Sequence, residues 1–250
     1  MLDRIKNIVK ETKIIPRVKL GRQLFSVSGL NFQEFSLIRK VRKYSQISLK
    51  CLANVYELAK KIERKKIKGS FVEYGVCRGG SSLVMAFVAS KARSHRKIWL
   101  FDSFQGNPEP IEIDGALAKQ CANGKAYGRL LPIGMNLASL NEVNELFFKK
   151  FSLSKDEIII KKGWFQDTLP VYNRQIGEIA ILRIDADWYE STKCCLENLY
   201  DHVIQGGYII FDDYNYFPGC KIAVDEFIDK RNLKVNLIEI DFAAVYFNKA

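Results

Sequence analysis

The sequence is 250 residues long with 48% apolar side chains, enough for one sizeable hydrophobic core and little more. Its 39 basic against 28 acidic residues give a formal charge of +11, a field that favours phosphorylated small molecules, nucleic acid or an anionic membrane surface. The longest apolar runs, Ile179 to Leu182 and Tyr208 to Phe211 among them, fall far short of the roughly 20 residues that span a bilayer, so no transmembrane segment is expected.

The chain starts with a basic stretch, Leu2 to Ile14, in which Leu2, Ile5 and Val9 recur at helical spacing. Lys6, Lys10 and Lys13 interrupt the continuous apolar run that a signal peptide requires, and the expected location is cytoplasmic. A less regular segment around Gly21 to Gly29 follows, and then Leu52, Val55 and Leu58 mark another helix. Residues 1–66 are therefore read as an N-terminal helical cap and 67–250 as an α/β core. Six cysteines, at 51, 77, 121, 194, 195 and 220, form no CxxC pair and have no histidine-rich company, which predicts reduced thiols rather than a zinc site or a disulfide framework.

From Phe71 onward short β-rich runs alternate with amphipathic stretches, the pattern of βαβ units on a parallel sheet. The strands are read as Phe71 to Gly75, Lys97 to Asp102, Glu157 to Lys161, Ile179 to Asp185 and Gly207 to Asp213. Between the last two, Leu196, Leu199, Tyr200 and Val203 predict a helix that ends near Gly206, a residue suited to a C-cap. Ala223, Val224 and Phe227 predict one more helix. Val235 to Ile240 and Ala243 to Phe247 are two closing strands whose link is too short for a helical crossover, so they must pair antiparallel. Residues 103–137 are rich in Gly, Pro and Asn without sustained periodicity, which in a compact domain marks a functional lid. A mostly parallel seven-stranded sheet with a C-terminal antiparallel hairpin is similar to the Rossmann-like sheet of class I methyltransferases rather than to that of dinucleotide dehydrogenases.

Chemistry concentrates at the predicted strand ends. The first strand runs into EYGVCRGGSS, from Glu73 to Ser82, with Gly75, Gly79, Gly80 and Ser81 in the turn before a helix. Such a turn lets a ligand approach the backbone, but its glycine spacing is not the GxGxxG of pyrophosphate binders, and Glu73 suits a ligand ammonium. The second strand ends at Asp102 and Ser103, where a carboxylate can accept both hydroxyls of a ribose. Asp185 and Asp187 close the fourth strand, and Asp212 and Asp213 the fifth. Adjacent parallel strands deliver these four acids to one edge, where their repulsion calls for a hard cation such as Mg²⁺. No GxSxG, HExxH or Walker lysine motif competes, and His95 and His202 lie in surface-like settings.

Five ordered stretches, beginning at Val72, Asp102, Gly163, Asp185 and Phe211, resemble the macrocin O-methyltransferase family, and the similarity runs from about Ile47 to the end. The resemblance implies an S-adenosylmethionine-dependent O-methyltransferase acting on a hydroxyl of a sugar-containing small molecule. It implies that Glu73, Gly75, Gly79, Gly80 and Ser81 hold the methionine end of the cofactor, with Asp102 and Ser103 at the ribose. Trp164, with Phe165, would wall the adenine. Asp185, Asp212 and Asp213 would ligate Mg²⁺, with Asp185 also beside the cofactor and either Asp187 or Asp185 acting as base. Asn107 departs from the leucine that many relatives carry. The charge hints at a phosphorylated acceptor, and relatives tend towards homo-oligomers. The scattered lysines lack the basic stripe expected of the rival nucleic-acid methyltransferase, and four strand-end acids argue against a non-enzymatic cofactor-binding scaffold.

Overall fold

Why the sheet forms where it does follows from its strands. β1 (Ser70–Tyr74), β2 (Ile98–Asp102) and β4 (Ile179–Ile184) are buried along their whole length, the continuous apolar pattern of parallel strands covered on both faces. In the computed structural model, which describes residues 30–250, they join β3 (Ile158–Lys162), β5 (Val203–Phe211), β6 (Ile238–Glu239) and β7 (Val245–Asn248) in one sheet of order β3-β2-β1-β4-β5-β7-β6. The first five strands are parallel, and β7 pairs antiparallel with both β5 and β6. The chain reverses its direction of travel across the sheet between β1 and β4, the crevice where open α/β sheets bind ligands.

Helices cover both faces. α1 (Phe32–Val41) begins in a reciprocal cap, with Asn31 Oδ1 accepting from Glu34 N–H (3.0 Å) and Glu34 Oε2 from Asn31 N–H (2.8 Å). α2 (Leu49–Arg64) starts at Ser48, whose Oγ accepts from Cys51 N–H, and buries Leu52, Val55 and Leu58 as their spacing predicts. α1, α2 and α3 (Gly80–Ala92) share one core with Phe71, Ile98 and Ile181 of the sheet. On the other face, α6 (Phe165–Ile176), α7 (Tyr189–Leu199) and α8 (Pro218–Lys230) bury Leu169, Leu196 and Val224 against Val72, Leu182 and Ile209. Among the described residues no helix is long and apolar enough to cross a membrane. The expected helix Leu2 to Ile14 and the irregular segment before Gly29 lie outside the described residues.

Two element boundaries differ from expectation. The helix predicted through Val203 stops at Leu199 and gives way to a 3-10 turn over Tyr200–His202, and Val203 opens β5. Ile179 pairs with Val203 but Ile181 with Tyr208, so β5 carries an irregularity between them; Gly206, at φ +82°, serves this strand bulge rather than a helix cap. The closing hairpin is also shorter than its apolar runs, since β6 keeps only Ile238–Glu239. Asp241 turns the chain instead, Oδ1 accepting from the N–H groups of Ala243 and Ala244, both at 3.0 Å. The glycine-rich segment 103–137 does contain structure of its own: a 3-10 turn at Glu112–Asp114 and α4 (Gly115–Cys121), which buries Ala118 with Trp188, Phe217 and Cys220; the short α5 (Leu140–Asn144) follows it.

Candidate active site

A cleft of about 460 Å³ opens at the C-terminal ends of β1, β2, β4 and β5. Its floor is set by close backbone approach. Gly75, at φ +81°, passes so near β4 that a Cβ would lie 1.6 Å from the carbonyl oxygen of Asp185. Gly80 opens α3 directly under the cap, where a Cβ would fall 2.5 Å from Ser45 Cβ and 2.8 Å from Tyr44 O. The glycines therefore bring three backbones together, and Gly80 and Ser81 at the start of α3 line the cleft. Gly75, Gly80, Ser81, Asp102, Ser103 and Trp164 all line the cleft. Gly79, at φ +85°, caps α3 from below, against the Phe147 ring.

Asp102 is buried and held by backbone alone: Oδ2 accepts from Cys77 N–H (2.8 Å) and Oδ1 from Phe104 N–H (2.6 Å). Ser103 Oγ donates to Gly106 O (2.8 Å) and fixes the turn beyond it. Trp164 stands at the start of α6, next to Phe165, whose ring meets Tyr74 edge-on. Glu73 differs from its expected place. It is fully buried, does not reach the cleft, and its oxygens are taken by the hydroxyls of Ser81 and Ser82 and by Arg183 Nη1 (2.7 Å). A strand-interior carboxylate two residues before the turn points into the sheet's covering layer, where Glu73 braces the glycine turn through Ser81 and Ser82.

Arg183 is the buried counter-charge of the whole edge. Beside Glu73 it binds Asp185 Oδ2 at 2.8 Å and Asp212 Oδ1 at 2.6 Å, while itself wholly inaccessible to solvent. One guanidinium thus serves three carboxylates, and Asp187 and Asp213 add two more charges. Ligand atoms of Asp185, Asp187 and Asp213 all lie within 4.8 Å of one another, the group of acids among the described residues that could share a cation. Asp212, expected among the ligands, turns one oxygen to Arg183 instead and stands outside that group, whereas Asp187, expected as base, stands inside it.

The electrostatics of this corner are unbalanced. Burial, then the charges of Asp187 and Asp185, push the Asp213 carboxyl well above its ordinary range, and its Oδ2 is buried without a hydrogen-bond partner among the described residues. Burial and Asp185 push Asp187 up to about 7 against the amides of Asn107 and Asn136. Burial moves Asp212 up to about 8, with Arg183 opposing and Asp185 adding to the rise. An all-carboxylate set with an orphaned oxygen, whose ionisation burial and mutual repulsion oppose, fits a hard divalent cation that would offset both.

Several cleft residues escape sequence reasoning. Tyr44, Ser45, Gln46 and Ile47 come from the cap, in the turn between α1 and α2, and carry no motif. Asn107 and Asn136 come from the lid, and Asn107 alone gave a signal, as a departure from its relatives. Tyr216 and Phe217 follow the β5 acids on the way to α8. The two histidines lie elsewhere: His95 faces Glu157 at 2.9 Å and His202 faces Gly177 O at 3.2 Å.

A doubly wound sheet closed by an antiparallel hairpin, with its cleft at the strand ends, is the architecture of class I methyltransferases. Residues 40–249 match the model of the Macrocin-O-methyltransferase (TylF) family, and the chain belongs to that family. It is 35% identical over 213 residues to a demethyldecarbamoylnovobiocin O-methyltransferase of Streptomyces niveus, covering 82% of this chain and 76% of the relative. It is 31% identical over 205 residues to an 8-demethyl-8-(2,3-dimethoxy-alpha-L-rhamnosyl)-tetracenomycin-C 4'-O-methyltransferase of Streptomyces olivaceus, covering 82% and 75%. The solved structure of the O-methyltransferase NovP superposes with a TM-score of 0.70 at 35% identity, over 83% of this chain and 82% of that one. The chain is accordingly an S-adenosylmethionine-dependent O-methyltransferase.

Proposed function

We propose that this enzyme methylates a hydroxyl of a sugar-containing small molecule with the help of a divalent cation, Mg²⁺ by its chemistry. The observation that carries the reading is the gathering of Asp185, Asp187 and Asp213 within 4.8 Å of one another in the same cleft as the glycine turn. The relatives' names support the acceptor class, one of them specifying a rhamnosyl group.

Gly75, Gly80 and the amides leading into α3 would take the methionine end of S-adenosylmethionine, Asp102 the ribose hydroxyls, and Trp164 one wall of the adenine. Asp102 is prepared for this: two backbone N–H groups hold its carboxylate rigid, and each oxygen keeps a lone pair for a hydroxyl. The sulfonium of the cofactor supplies a methyl group that leaves without acid catalysis. Asp185, Asp187 and Asp213 would hold the cation, which when bound lowers the pKa of a sugar hydroxyl and neutralises the acidic corner. Arg183 keeps Asp185 turned towards the cleft and satisfies Asp212 beside it. Asp187, which the lid holds at Oδ2, and Asp185 both line the cleft beside the acceptor and are the two groups placed to take its proton. The lid and the 44–47 turn exclude water from the reacting atoms.

The test is methyl transfer from labelled S-adenosylmethionine to a panel of glycosides, nucleotide-linked sugars and transfer RNA, with Mg²⁺ or with a chelator. Label in the sugar fractions that requires Mg²⁺ is expected. Label in RNA alone, or undiminished transfer to sugars under chelation, would overturn the acceptor class or the cation respectively.

A further inference from the structure

The two ends of the lid meet at the reacting corner. Asn107 N–H donates to Met135 O (3.0 Å) and Ile133 N–H to Asn107 O (2.9 Å), so the excursion from 107 to 136 leaves and returns at one place. From each end a carboxamide reaches the same atom: Nδ2 of Asn107 lies 2.7 Å, and Nδ2 of Asn136 3.4 Å, from Asp187 Oδ2. Both amides turn their nitrogens inward, and Oδ2 accepts from each. Two more bonds fasten the lid to the same loop: Trp188 Nε1 donates to Pro108 O (3.0 Å) and Tyr189 N–H to Asp114 Oδ1 (2.6 Å). Gly219 leaves room for the second, since a Cβ there would lie 1.9 Å from Asp114 Oδ1.

Asp187 needs such support. Its backbone sits at φ +55°, a left-handed conformation that a non-glycine residue keeps only when its surroundings impose it. Among the described residues the only side chains that donate to its carboxylate are the two lid asparagines. We propose that Asn107 and Asn136 are positioning residues that clamp Asp187 through Oδ2, so that the docked lid is a structural part of the acidic site and lifting it dismantles that site. The clamp leaves Oδ1 to the reacting groups. The inference rests on the reading that Asp187 serves methyl transfer, but the clamp itself can be measured apart from it.

Lys125 and Arg129 are exposed within the lid and give trypsin two places to cut, so cleavage there reports lid opening in the full chain bound to S-adenosylhomocysteine. Asn107→Leu is expected to speed this cleavage by about 10- to 100-fold, the range set by a hydrogen bond to a charged group, and Asn136→Ala by less because its bond is longer. In an Asp187→Ala background the same Asn107→Leu change should add no more than about twofold, because the bond is already gone. Mn²⁺ affinity, read by calorimetry, should fall about tenfold in Asn107→Leu while S-adenosylhomocysteine affinity stays within about twofold. Equal acceleration by Asn107→Leu in both backgrounds would show a lid held by packing alone and overturn the clamp, as would unchanged cleavage in the wild-type background. Wild-type protein that binds no Mn²⁺ would sink the cation reading yet leave the proteolysis cycle to decide the clamp. Asn136→Ala removes the weaker bond without adding bulk and repeats the test should Asn107→Leu fail to fold.

Discussion

The cofactor half and the acidic half of the cleft are built on opposite terms. At β1 and β2, backbone does the shaping: glycines allow close approach, and Asp102 is satisfied by two main-chain amides. At β4 and β5, side chains do it, and they are left unsatisfied, with Asp213 Oδ2 unpaired among the described residues and the Asp187 and Asp213 carboxyls pushed upward. Main-chain donors finish the first half in advance, whereas the second keeps acids whose charge nothing among the described residues fully compensates. Arg183 joins the halves, holding Glu73 behind the cofactor loop with the same Nη1 that holds Asp185.

Asp213→Ala breaks the acidic half alone and should give the largest effect. Methyl transfer is expected to fall by roughly 10³-fold or more, as for a lost ligand in metal-assisted catalysis, with S-adenosylhomocysteine affinity by calorimetry nearly unchanged. A parallel loss of that affinity would show that the halves are not separable. Arg183→Met strikes the junction: it strands Glu73, Asp185 and Asp212, and urea unfolding should show a loss of about 3–5 kcal/mol. A loss under about 1 kcal/mol would mean that water or protons replace the guanidinium without strain. Asp102→Asn addresses the cofactor half, with S-adenosylhomocysteine binding weakened about tenfold and Mn²⁺ binding kept.

The acidic corner can also be read through pH without any substitution. Asp187 and Asp212 have folded values of about 7 and about 8, above the ordinary 3.8 of an aspartate, so the folded protein binds more protons than the unfolded chain between these limits. Their contribution is then fully present below about pH 4 and is lost as pH rises through 7 to 8. Without divalent metal, the melting temperature should decline as pH rises from about 4 to about 8. Mg²⁺ should flatten the decline, raising the melting temperature more at pH 8 than at pH 5; equal shifts at both pH values would disconnect the cation from these acids.

The same contrast explains what the sequence revealed. Parallel strands buried on both faces write themselves as apolar runs, so five strand positions, the glycine turn and the four strand-tip aspartates were legible, and the family resemblance agreed with them. Bulges write less clearly: Gly206 serves a strand irregularity as readily as a helix end, and Val203 fits either period. Spacing gives Glu73 its place on the strand but not the buried face on which Ser81, Ser82 and Arg183 hold it. The division of labour among Asp185, Asp187, Asp212 and Asp213 depends on Arg183, whose reach across three strands no local pattern records. The cap turn at 44–47 and the lid asparagines enter through long-range packing against Gly80 and Asp187, contacts that periodicity does not encode.

Crystals of the enzyme with S-adenosylhomocysteine, soaked in Mn²⁺ and measured at its absorption edge, put the cation directly to the test. One anomalous peak bonded to oxygens of Asp185, Asp187 and Asp213, at roughly the 2.0–2.1 Å typical of small hard divalent ions, is the predicted result. A cleft that holds the cofactor product yet shows no peak among these three side chains would contradict it.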